Sequence, residues 1–567
     1  MDAYTLAWLL GLPFIVYFTG YATGKNLALL GGLYEPLPLP ASGRLEPLQE
    51  HTGGRLPRVL VVVPSYNDES VVEALPKWLG QSYPEYRIVV AEDGGVGYEF
   101  LGKLLWRREY TVALPDGATR EVAVEAIGVS ERPYEVLVVR RGDRRGYKPG
   151  ALNNVIALVE EGILSEALGG FKPDYAMIVD ADHEPGRNPW LRWVLLGKRH
   201  LDNKPLTPHD YEALRWKLER LEPLAREVLD VDSYVLDPRE MDSPSTLITR
   251  AVELFEYHRK LLPGLAVVQG YQSHYAPHNR GLDLLVQASH ILAQWALSIR
   301  SPRVRLILRG ADGDKRALES PFSPLPARLL AKLTRPRLRI AGRMLGRGTT
   351  VEVHYSNHWF PLFTGSSGII DWRLLAEYMF ADGVYMRHHS LTEDWELSIR
   401  LQRDKYLIVA THQLETWGRP PRSEDAYKRQ QYRWAYGTTK DIKFHIKSII
   451  NSNLIITEKL GFLAQITHYL GGPIAPLAMS LGAVESAFFK EFTQPLYYIL
   501  LFYFAFTSFV VEGLITGKAS TIRGTIKKFF KLIPIYSYGI FDALTGKSSG
   551  WTVTRKERVM LRKPLSV

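Results

Sequence analysis

Two carboxylates one residue apart, Asp180 and Asp182, close the apolar run YAMIVDADHEP (175 to 185). A D-x-D pair at the end of a buried strand is suited to hold a hard divalent cation, Mg²⁺ or Mn²⁺, which in turn binds phosphate oxygens. The same spacing also arises by chance in turns and helix caps, so the pair alone does not establish a metal site.

A second acidic group, Glu393 and Asp394, follows Thr392 and precedes the amphipathic segment WELSIRL. One interpretation is an ordinary helix start, where a threonine cap and acidic residues stabilise the free amides and the helix dipole. The other is that Asp394 is a general base, which takes a proton from an acceptor hydroxyl during a group transfer.

The run from Gln430 to Trp434 offers an amide, a fixed cation and a flat indole within five residues. The planar guanidinium of Arg433 can bind phosphate oxygens in two places and stabilise the charge of a leaving group. Trp434 is suited to stack on a sugar face, although aromatic residues are also common as anchors at a membrane interface.

Two further loops carry residues suited to ligand binding. Lys148 lies in a Gly- and Pro-flanked turn before a helix, where its charge and the free helix amides can meet phosphate. The small-residue loop from Phe363 to Ser367, which contains Thr364, Gly365 and Ser366, is either an acceptor-lining segment or a tight turn. A solvent-exposed lysine is an equally good local interpretation of Lys148.

Strand-like runs precede several of these residues and predict the scaffold that positions them. The runs are rich in β-branched residues and continuous, as expected for parallel strands that are buried on both faces. Helical segments separate them, which predicts an α/β sheet with crossover helices. The predicted strands cover residues 58–66, 86–95, 134–141, 175–185 and 265–270, and two of the helices cover 68–81 and 151–162.

Carboxylates follow two of the predicted strands, Glu92 and Asp93 after one and the D-x-D pair after another. Ligands of open α/β sheets bind outside the carboxyl ends of the strands, so these groups are expected to share one cleft. Residues 191–258 and 301–350 interrupt the pattern, and we interpret them as insertions.

The chain contains no cysteine, which excludes disulfides, thiolate metal sites and cysteine nucleophiles. Almost all of the net charge of +10 is concentrated between Ser301 and Arg347, which holds twelve basic and three acidic residues. No nucleic-acid-binding module is recognisable there, so nucleic acid is not an expected partner. Such a stretch either binds anionic lipid headgroups, at about 1 kcal/mol per basic residue, or is a solvated loop.

Three uncharged segments are long enough to cross a bilayer and predict an integral membrane protein. The first lies within residues 1–33 and is interpreted as a retained anchor, because it lacks a basic start and a clear cleavage site. The other two cover 460–484 and 492–511. A linker (34–56), a catalytic domain (57–445) and a C-terminal membrane region (446–567) complete the predicted organisation.

The apolar piece from Leu532 to Phe541 is too short to cross a membrane and is predicted to lie in the interface. Basic residues flank it on both sides, and the positive-inside tendency places them in the cytoplasm. The catalytic domain is then expected to face the cytoplasm, the compartment that holds nucleotide sugars.

Seven motifs, in order, resemble the family-2 glycosyltransferases of the GT-A fold. They are VPSYND, EDGG, KPGALN, DAD, FTGSS, TED and QxxRW, and they span about residues 57 to 440. The resemblance is to the branch with cellulose, hyaluronan and other β-glycan synthases, and GKSSGWTVTRKE (546 to 557) is similar to a stretch that follows their membrane spans. It implies a Rossmann-like, nucleotide-sugar-binding catalytic domain with transmembrane helices at both ends.

The resemblance also implies roles for individual residues. Donor contacts are expected from the nucleotide-binding and diphosphate-binding positions Tyr66, Asn67, Glu92, Asp93, Lys148, Asp180, Gln430 and Arg433. Asp180 and Asp182 would hold Mg²⁺ or Mn²⁺, and Asp394 would be the base. Acceptor contacts are expected from Trp434, Thr364, Gly365, Ser366 and Glu393.

The implied reaction is metal-dependent, inverting transfer of a sugar from a UDP- or GDP-sugar to form a β-glycoside. The acceptor is expected to be a polysaccharide. A lipid acceptor is the alternative, because three spans are few for a polymer channel. A homo-oligomer would be needed to complete such a channel. A silent membrane scaffold is disfavoured, since every expected polar residue is retained.

Overall fold

The computed structural model describes most of the chain between residues 40 and 452, and a second segment near its end. The described ranges are 40–113, 119–129, 135–142, 144–196, 203–274, 303–309, 315–319, 350–356, 362–382, 390–452 and 519–547, with the isolated residues 454, 459, 469, 470, 473, 474 and 480.

The described residues contain thirteen strands and twelve α-helices. The strands are β1 (Val59–Ser65), β2 (Tyr86–Glu92), β3 (Gly102–Ala113), β4 (Thr119–Val129), β5 (Glu135–Arg141), β6 (Tyr175–Ile178), β7 (Glu184–Pro185), β8 (Leu265–His274), β9 (Arg303–Arg309), β10 (Lys315–Glu319), β11 (Thr350–Ser356), β12 (Gly368–Asp371) and β13 (Leu407–Gly418). The α-helices are α1 (Leu45–His51), α2 (Val71–Leu79), α3 (Tyr147–Glu160), α4 (Ile163–Ala167), α5 (Pro208–Leu218), α6 (Glu222–Leu229), α7 (Pro238–Asp242), α8 (Leu247–Leu261), α9 (Trp372–Asp382), α10 (Glu393–Arg403), α11 (Glu424–Ile450) and α12 (Ala519–Thr545).

A mixed sheet forms the centre of the fold, with the strand order β3-β4-β5-β2-β1-β6-β12-β8-β13-β7. Strands β5, β2, β1 and β6 are parallel neighbours, and β12 pairs antiparallel with both β6 and β8. Because β12 runs against both neighbours, β6 and β8 point the same way. β1, β2, β5, β6 and β8 therefore run in one direction, and their carboxyl ends share one edge. The predicted strand 175–185 is divided, because β6 ends at Ile178 and β7 runs antiparallel to β13.

Burial on both faces explains why these strands read as continuous apolar runs. Every residue of β1 is buried, and its alternate side chains enter two different cores. Leu60 and Val62 pack on the side of α3, whereas Val59 and Val61 pack on the side of α8. The α/β fold class is thus confirmed, with helices on both faces of the sheet.

The β3–β4 hairpin and strand β12 were not predicted from the sequence. The hairpin extends the sheet beyond β5 in antiparallel register, so the sheet is mixed and not purely parallel. β12 has four residues and is inserted between β6 and β8, where its register is set by those neighbours. A strand that short carries no periodic signal of its own.

The described part of the predicted linker, from residue 40, is packed against the domain. It contains α1, and Leu48 of that helix is buried in the core on the α8 side. The Gly43 amide donates a 2.7 Å hydrogen bond to the Glu253 carboxylate, and the Ala41 amide donates one of 2.7 Å to Gln413. This segment is therefore part of the fold.

The two predicted insertions differ in character. Residues 191–258 include helices α5 to α7, which enclose a small core of their own that contains Leu214 and Met241. Helix α8 begins in the same range but packs against the main sheet through Phe255. The region 301–350 contains β9 and β10, which form a separate antiparallel sheet with β11 in the order β10-β9-β11.

The predicted membrane spans lie outside the described residues, apart from a few isolated positions of 460–484. Among the residues that the structure does describe, no helix is both long enough and apolar enough to cross a bilayer. The predicted interfacial segment lies within α12. Leu532, Tyr536 and Ile540 of this helix are buried in a cluster that includes Ala435 of α11.

Gly270 on β8 gives a direct test of the close approach between the central strands. A Cβ there would lie 2.6 Å from Leu414 Cβ and 2.9 Å from the Ser367 carbonyl oxygen, so backbone and side chain would both have to move. We expect Gly270→Ala to lower the free energy of unfolding by about 1 to 3 kcal/mol. Thermal unfolding of the full chain in detergent measures this.

Gly142→Ala is the matched control, because nothing lies within 4 Å of a Cβ at that position. Equal unfolding midpoints for the two variants would contradict the strand packing.

Candidate active site

Lys148 lies at the centre of the cleft, at the start of α3. Its Nζ donates a 2.6 Å hydrogen bond to Asp180 Oδ1 and a 3.0 Å hydrogen bond to the Gly365 carbonyl, and lies 3.6 Å from Glu393 Oε1. Although burial lowers the pKa of Lys148, the Asp180 and Glu393 carboxylates outweigh it and hold the pKa above its ordinary value. The lysine therefore carries its charge and is not a simple exposed turn residue.

The loop from Phe363 to Ser367 joins the D-x-D segment to the helix that begins with Glu393. The Asp180 amide donates to Ser366 Oγ at 3.1 Å, and the Phe363 amide donates to Ser398 Oγ on α10 at 2.9 Å. Gly365 has a φ of +77°, and a Cβ at this position would be 3.0 Å from Asp394 Oδ2. Only glycine allows the loop to approach the carboxylate this closely.

Thr364 is held from the side of β8 and lies in the same loop. Gln272 Nε2 donates to the Thr364 carbonyl at 3.0 Å and to its Oγ1 at 2.8 Å, while the Thr364 amide donates to Gln269 Oε1 at 3.1 Å. The predicted acceptor loop is thus fixed by hydrogen bonds to β8 on one side and to α10 on the other.

Asp394 occupies the first turn of α10 and is partly exposed in the cleft. Burial, followed by the nearby charge of Glu393, raises the pKa of Asp394 to about 7, against the opposing effect of Lys148. Its Oδ1 accepts a 2.9 Å hydrogen bond from the Trp395 amide. A carboxylate with a pKa near neutrality is well matched to the work of a general base.

Helix α11 carries Gln430, Arg433 and Trp434, and it brings Arg433 to the same cleft. Burial lowers the pKa of Arg433, and the carboxylates that oppose this effect are Glu393, Asp180 and Asp394. Arg433 therefore lies within electrostatic range of the whole acidic group. Trp434 is partly exposed and packs against the cluster between α11 and α12.

Asp182 lies beside two histidines that the sequence analysis did not single out. Ligand atoms of Asp182, His183 and His274 all lie within 4.8 Å of one another. The His183 and His274 rings meet edge to face, with their centroids 5.3 Å apart. Asp180, the other expected ligand, is instead bonded to Lys148.

This group fits a divalent cation. Gly418 closes one side of it, because a Cβ there would collide with Nε2 of His183 and would come within 2.9 Å of Nε2 of His274. Thr416 Oγ1 and Ser366 Oγ contact His183 Nδ1 at 2.8 and 3.1 Å, which orients the ring. One carboxylate with two imidazoles suits Mn²⁺ better than Mg²⁺, which prefers oxygen ligands.

Asp93, an expected donor contact, forms a buried ion pair with Arg141. Arg141 Nε donates to Asp93 Oδ1 at 2.6 Å, and Nη2 bonds Oδ2. The same guanidinium donates to the carbonyls of Arg145 and Tyr147, both at 2.9 Å. Asp93 thereby supports the turn that carries Lys148, and burial raises its pKa despite the attraction of Arg141.

Glu92 supports the loops at the end of β1 and β2. Its carboxylate accepts hydrogen bonds from the amides of Asn67 and Gly94, at 3.2 and 2.7 Å, and from the Tyr98 hydroxyl at 2.8 Å. Both oxygens are engaged and the residue is buried. In this structure Glu92 holds the two loops together, and its direct contact with a donor stays a prediction.

Tyr66 and Asn67 lie at the carboxyl end of β1, as expected. Asn67 adopts a φ of +46°, and its Oδ1 accepts a 2.7 Å hydrogen bond from the Gly95 amide. The Arg144 guanidinium lies 3.2 Å from the centroid of the Tyr66 ring. This part of the cleft presents one face of an aromatic ring together with a cation.

Known proteins provide one sequence match and several weak structural ones. The model of the family described as Glycosyl transferase family group 2 matches residues 348–511, which is less than half of the chain. That range contains Asp394, Gln430 and Arg433, and the match supports a glycosyltransferase of family-2 type. No curated protein matches the chain in sequence.

Two solved structures illustrate the structural similarity. The mannosyltransferase PcManGT from Pyrobaculum calidifontis, in complex with GDP-Man and Mn²⁺, is 12% identical, with a TM-score of 0.45 over 96% of this chain and 100% of its own. TarS 1-349 from S. aureus, in complex with UDP-GlcNAc, is 12% identical, with a TM-score of 0.32 over 86% of this chain and 92% of its own. These similarities are too low to establish a shared fold.

The pKa of Asp394 predicts how stability depends on pH. A carboxyl group whose pKa is raised on folding contributes stability that is complete below its ordinary pKa and is lost as pH rises through the folded value of about 7. Asp394→Asn removes this loss. Without metal or nucleotide, we expect the variant to match the wild type near pH 4 and to be more stable at pH 8 by about 1 to 4 kcal/mol.

Thermal unfolding at both pH values tests this, with Asp425→Asn as a control because the Asp425 side chain is exposed. A difference between Asp394→Asn and the wild type that is the same at pH 4 and pH 8 would contradict the raised pKa of Asp394.

The metal group predicts a second result. We expect His274→Ala and Asp182→Asn to weaken Mn²⁺ binding at least about tenfold, measured by the loss of the free-ion paramagnetic resonance signal on titration. His209→Ala is the control, since that histidine is exposed. Unchanged Mn²⁺ affinity in both test variants would exclude the group as the metal site.

Proposed function

We propose that this protein is a glycosyltransferase of the GT-A type that moves a sugar from a nucleotide-sugar donor. One observation carries the proposal. Asp394, with a pKa near 7, lies against Gly365 and within reach of the charges of Lys148 and Arg433. A base and two phosphate-binding cations thus line one cleft, and the family match over residues 348–511 supports the same chemistry.

The donor would lie across the carboxyl edge of the sheet. Tyr66, Asn67 and the loop around Asp93 would contact the nucleoside, and Lys148, Gln430 and Arg433 would contact the diphosphate. In the absence of a donor the charge of Lys148 is balanced by Asp180 and Glu393. On donor binding, the diphosphate would compete with these carboxylates for the lysine.

The reaction would be a single displacement at the anomeric carbon. The acceptor hydroxyl oxygen forms the new bond to that carbon, its proton passes to the Asp394 carboxylate, and the bond to the diphosphate oxygen breaks with its electron pair. Lys148 and Arg433 offset the charge on the departing nucleoside diphosphate. A divalent cation at Asp182 would supply further charge stabilisation of the phosphate oxygens. An α-linked donor would then give a β-linked product.

For the acceptor we favour a growing polysaccharide, with Trp434, Glu393 and the Thr364–Ser366 segment as its contacts. Trp434 is partly exposed and packs against the same cluster as Trp395, the residue that follows Asp394. An indole there would suit the face of a sugar ring. A lipid acceptor remains the alternative, and the size of the product distinguishes the two.

A membrane surface is the proposed location, with the catalytic domain in the cytoplasm. The paired helices α11 and α12 leave six large apolar side chains exposed: Phe444, Ile450, Phe530, Tyr538, Phe541 and Leu544. Lys527 lies on the same helix pair and is exposed. An apolar face with basic residues is typical of a helix that lies in the lipid interface.

The test uses the full chain in lipid vesicles with Mn²⁺ or Mg²⁺ and a panel of UDP- and GDP-sugars, and follows nucleoside diphosphate release. We expect Asp394→Asn to lower turnover by about 100-fold or more, since the proton acceptor is lost. In the wild type, kcat/KM should fall about tenfold per pH unit below an apparent pKa near 7.

Asp404→Asn is the matched control, because it makes the same change at a carboxylate that bonds the Tyr378 hydroxyl at the far end of α10. Long products would indicate a polysaccharide synthase, and lipid-extractable products a glycolipid enzyme. Equal turnover in Asp394→Asn and the wild type would exclude Asp394 as the base, and silence with every donor would favour a scaffold.

A further inference from the structure

Asp441 is a buried carboxylate on α11, outside the run from Gln430 to Trp434. Its side chain is 1% exposed. Oδ2 accepts two hydrogen bonds, from Ser390 Oγ at 2.6 Å and from Thr392 Oγ1 at 2.7 Å. Ser390 Oγ also accepts a 3.1 Å hydrogen bond from the Thr392 amide, so one small network holds both residues.

The segment held by Asp441 leads directly to the base. Thr392 immediately precedes α10, and Asp394 is in the first turn of that helix. A threonine at this position usually accepts a hydrogen bond from a free helix amide through its hydroxyl. Here the side chain makes no such cap, and the hydroxyl donates to Asp441 instead. The Thr392 hydroxyl therefore stabilises the contact with α11 and not the first turn of α10.

Gly437 brings the two segments into direct contact. A Cβ there would lie 2.8 Å from Thr392 Oγ1, 3.0 Å from Thr392 Cγ2 and 3.2 Å from Leu391 Cβ. Residues 391 and 392 therefore rest on the backbone of α11, one turn before Asp441. Asp441 thus holds Ser390 and Thr392, and Gly437 lies against Leu391 and Thr392, so two separate features of α11 locate the segment before α10.

A general attachment of α10 to α11 does not require Asp441. His445 Nε2 lies 2.9 Å from Glu396 Oε1, and Glu396 is also paired with Arg400 on its own helix at 3.0 Å. All three side chains are buried. The helices are joined by this group, whereas Asp441 bonds Ser390 and Thr392 in the segment that precedes the base.

We propose that Asp441 is a positioning residue that sets the place of Asp394 relative to the diphosphate-binding groups. Gln430, Arg433 and Asp441 share one continuous helix, with Asp441 about 12 Å along it from Arg433. The base and the groups that bind the leaving diphosphate are thereby held as one rigid unit. This inference rests on the proposed transfer reaction.

The test compares Thr392→Val and Asp441→Ala with the wild type in the full chain in vesicles. Thr392→Val removes the hydroxyl with little change of volume, and Thr392→Ser keeps it. We expect Thr392→Val and Asp441→Ala to lower kcat about 10- to 100-fold while the donor KM stays within about threefold, because a small displacement of the base affects the reaction more than binding. Thr392→Ser should retain the wild-type kcat.

The double variant Thr392→Val/Asp441→Ala should be no slower than the slower single variant, because both changes break the same contact. Asp404→Ala is the control carboxylate and should leave kcat unchanged, since it bonds Tyr378 at the other end of α10. Wild-type kcat in Thr392→Val, or effects that multiply in the double variant, would overturn the proposal.

If the wild type releases no nucleoside diphosphate from any donor, the proposed function is wrong. A separate measurement then tests whether Asp441 holds the segment before α10. Hydrogen exchange of the amides of residues 390 to 396 should be faster in Asp441→Ala than in the wild type. Unchanged exchange would overturn the inference, whatever the activity.

Discussion

The cleft depends on one partly buried cation, Lys148, which joins three parts of the chain that are far apart in sequence. Its ammonium group donates hydrogen bonds to Asp180 after β6 and to the carbonyl of Gly365 in the loop before β12. It also lies close to Glu393 at the start of α10. Without this charge, carboxylates from two segments would face one another in a partly buried cleft, which is unfavourable. Burial and the charge of Glu393 raise the pKa of Asp394, and Lys148 offsets part of that rise.

The turn that carries Lys148 is held by a neighbouring ion pair. Asp93 pairs with Arg141, whose guanidinium also bonds the carbonyls on either side of the Gly146 turn, so the lysine enters the cleft from a fixed backbone. Strand β12 and its preceding loop bring Gly365 against Asp394, and α11 brings Arg433 to the other side. Residues with no role in the reaction thus determine where the reacting groups lie.

Much of this could be predicted from the sequence, because buried parallel strands have a continuous apolar pattern and their polar ends are conspicuous. The directions of five strands and the position of Asp180 beyond the end of one of them follow from it, whereas the grouping of Lys148, Asp394 and Arg433 with Asp180 was expected only from the resemblance of their motifs to the family-2 glycosyltransferases. His274 could not be found in this way, since it meets Asp182 only through the pairing of distant strands. The positioning roles of Glu92 and Asp93 depend on hydrogen-bond partners, which no local pattern contains.

We propose that this cleft transfers a sugar with inversion. Proton NMR of the anomeric region, recorded while an α-linked nucleotide sugar is consumed by the protein with Mn²⁺ and acceptor, tests this proposal most directly. We expect the α-anomeric signal of the donor to fall as a β-anomeric signal of the product rises in equal amount. A product with an α-anomeric signal, or a donor signal that stays constant for every UDP- and GDP-sugar, would contradict it.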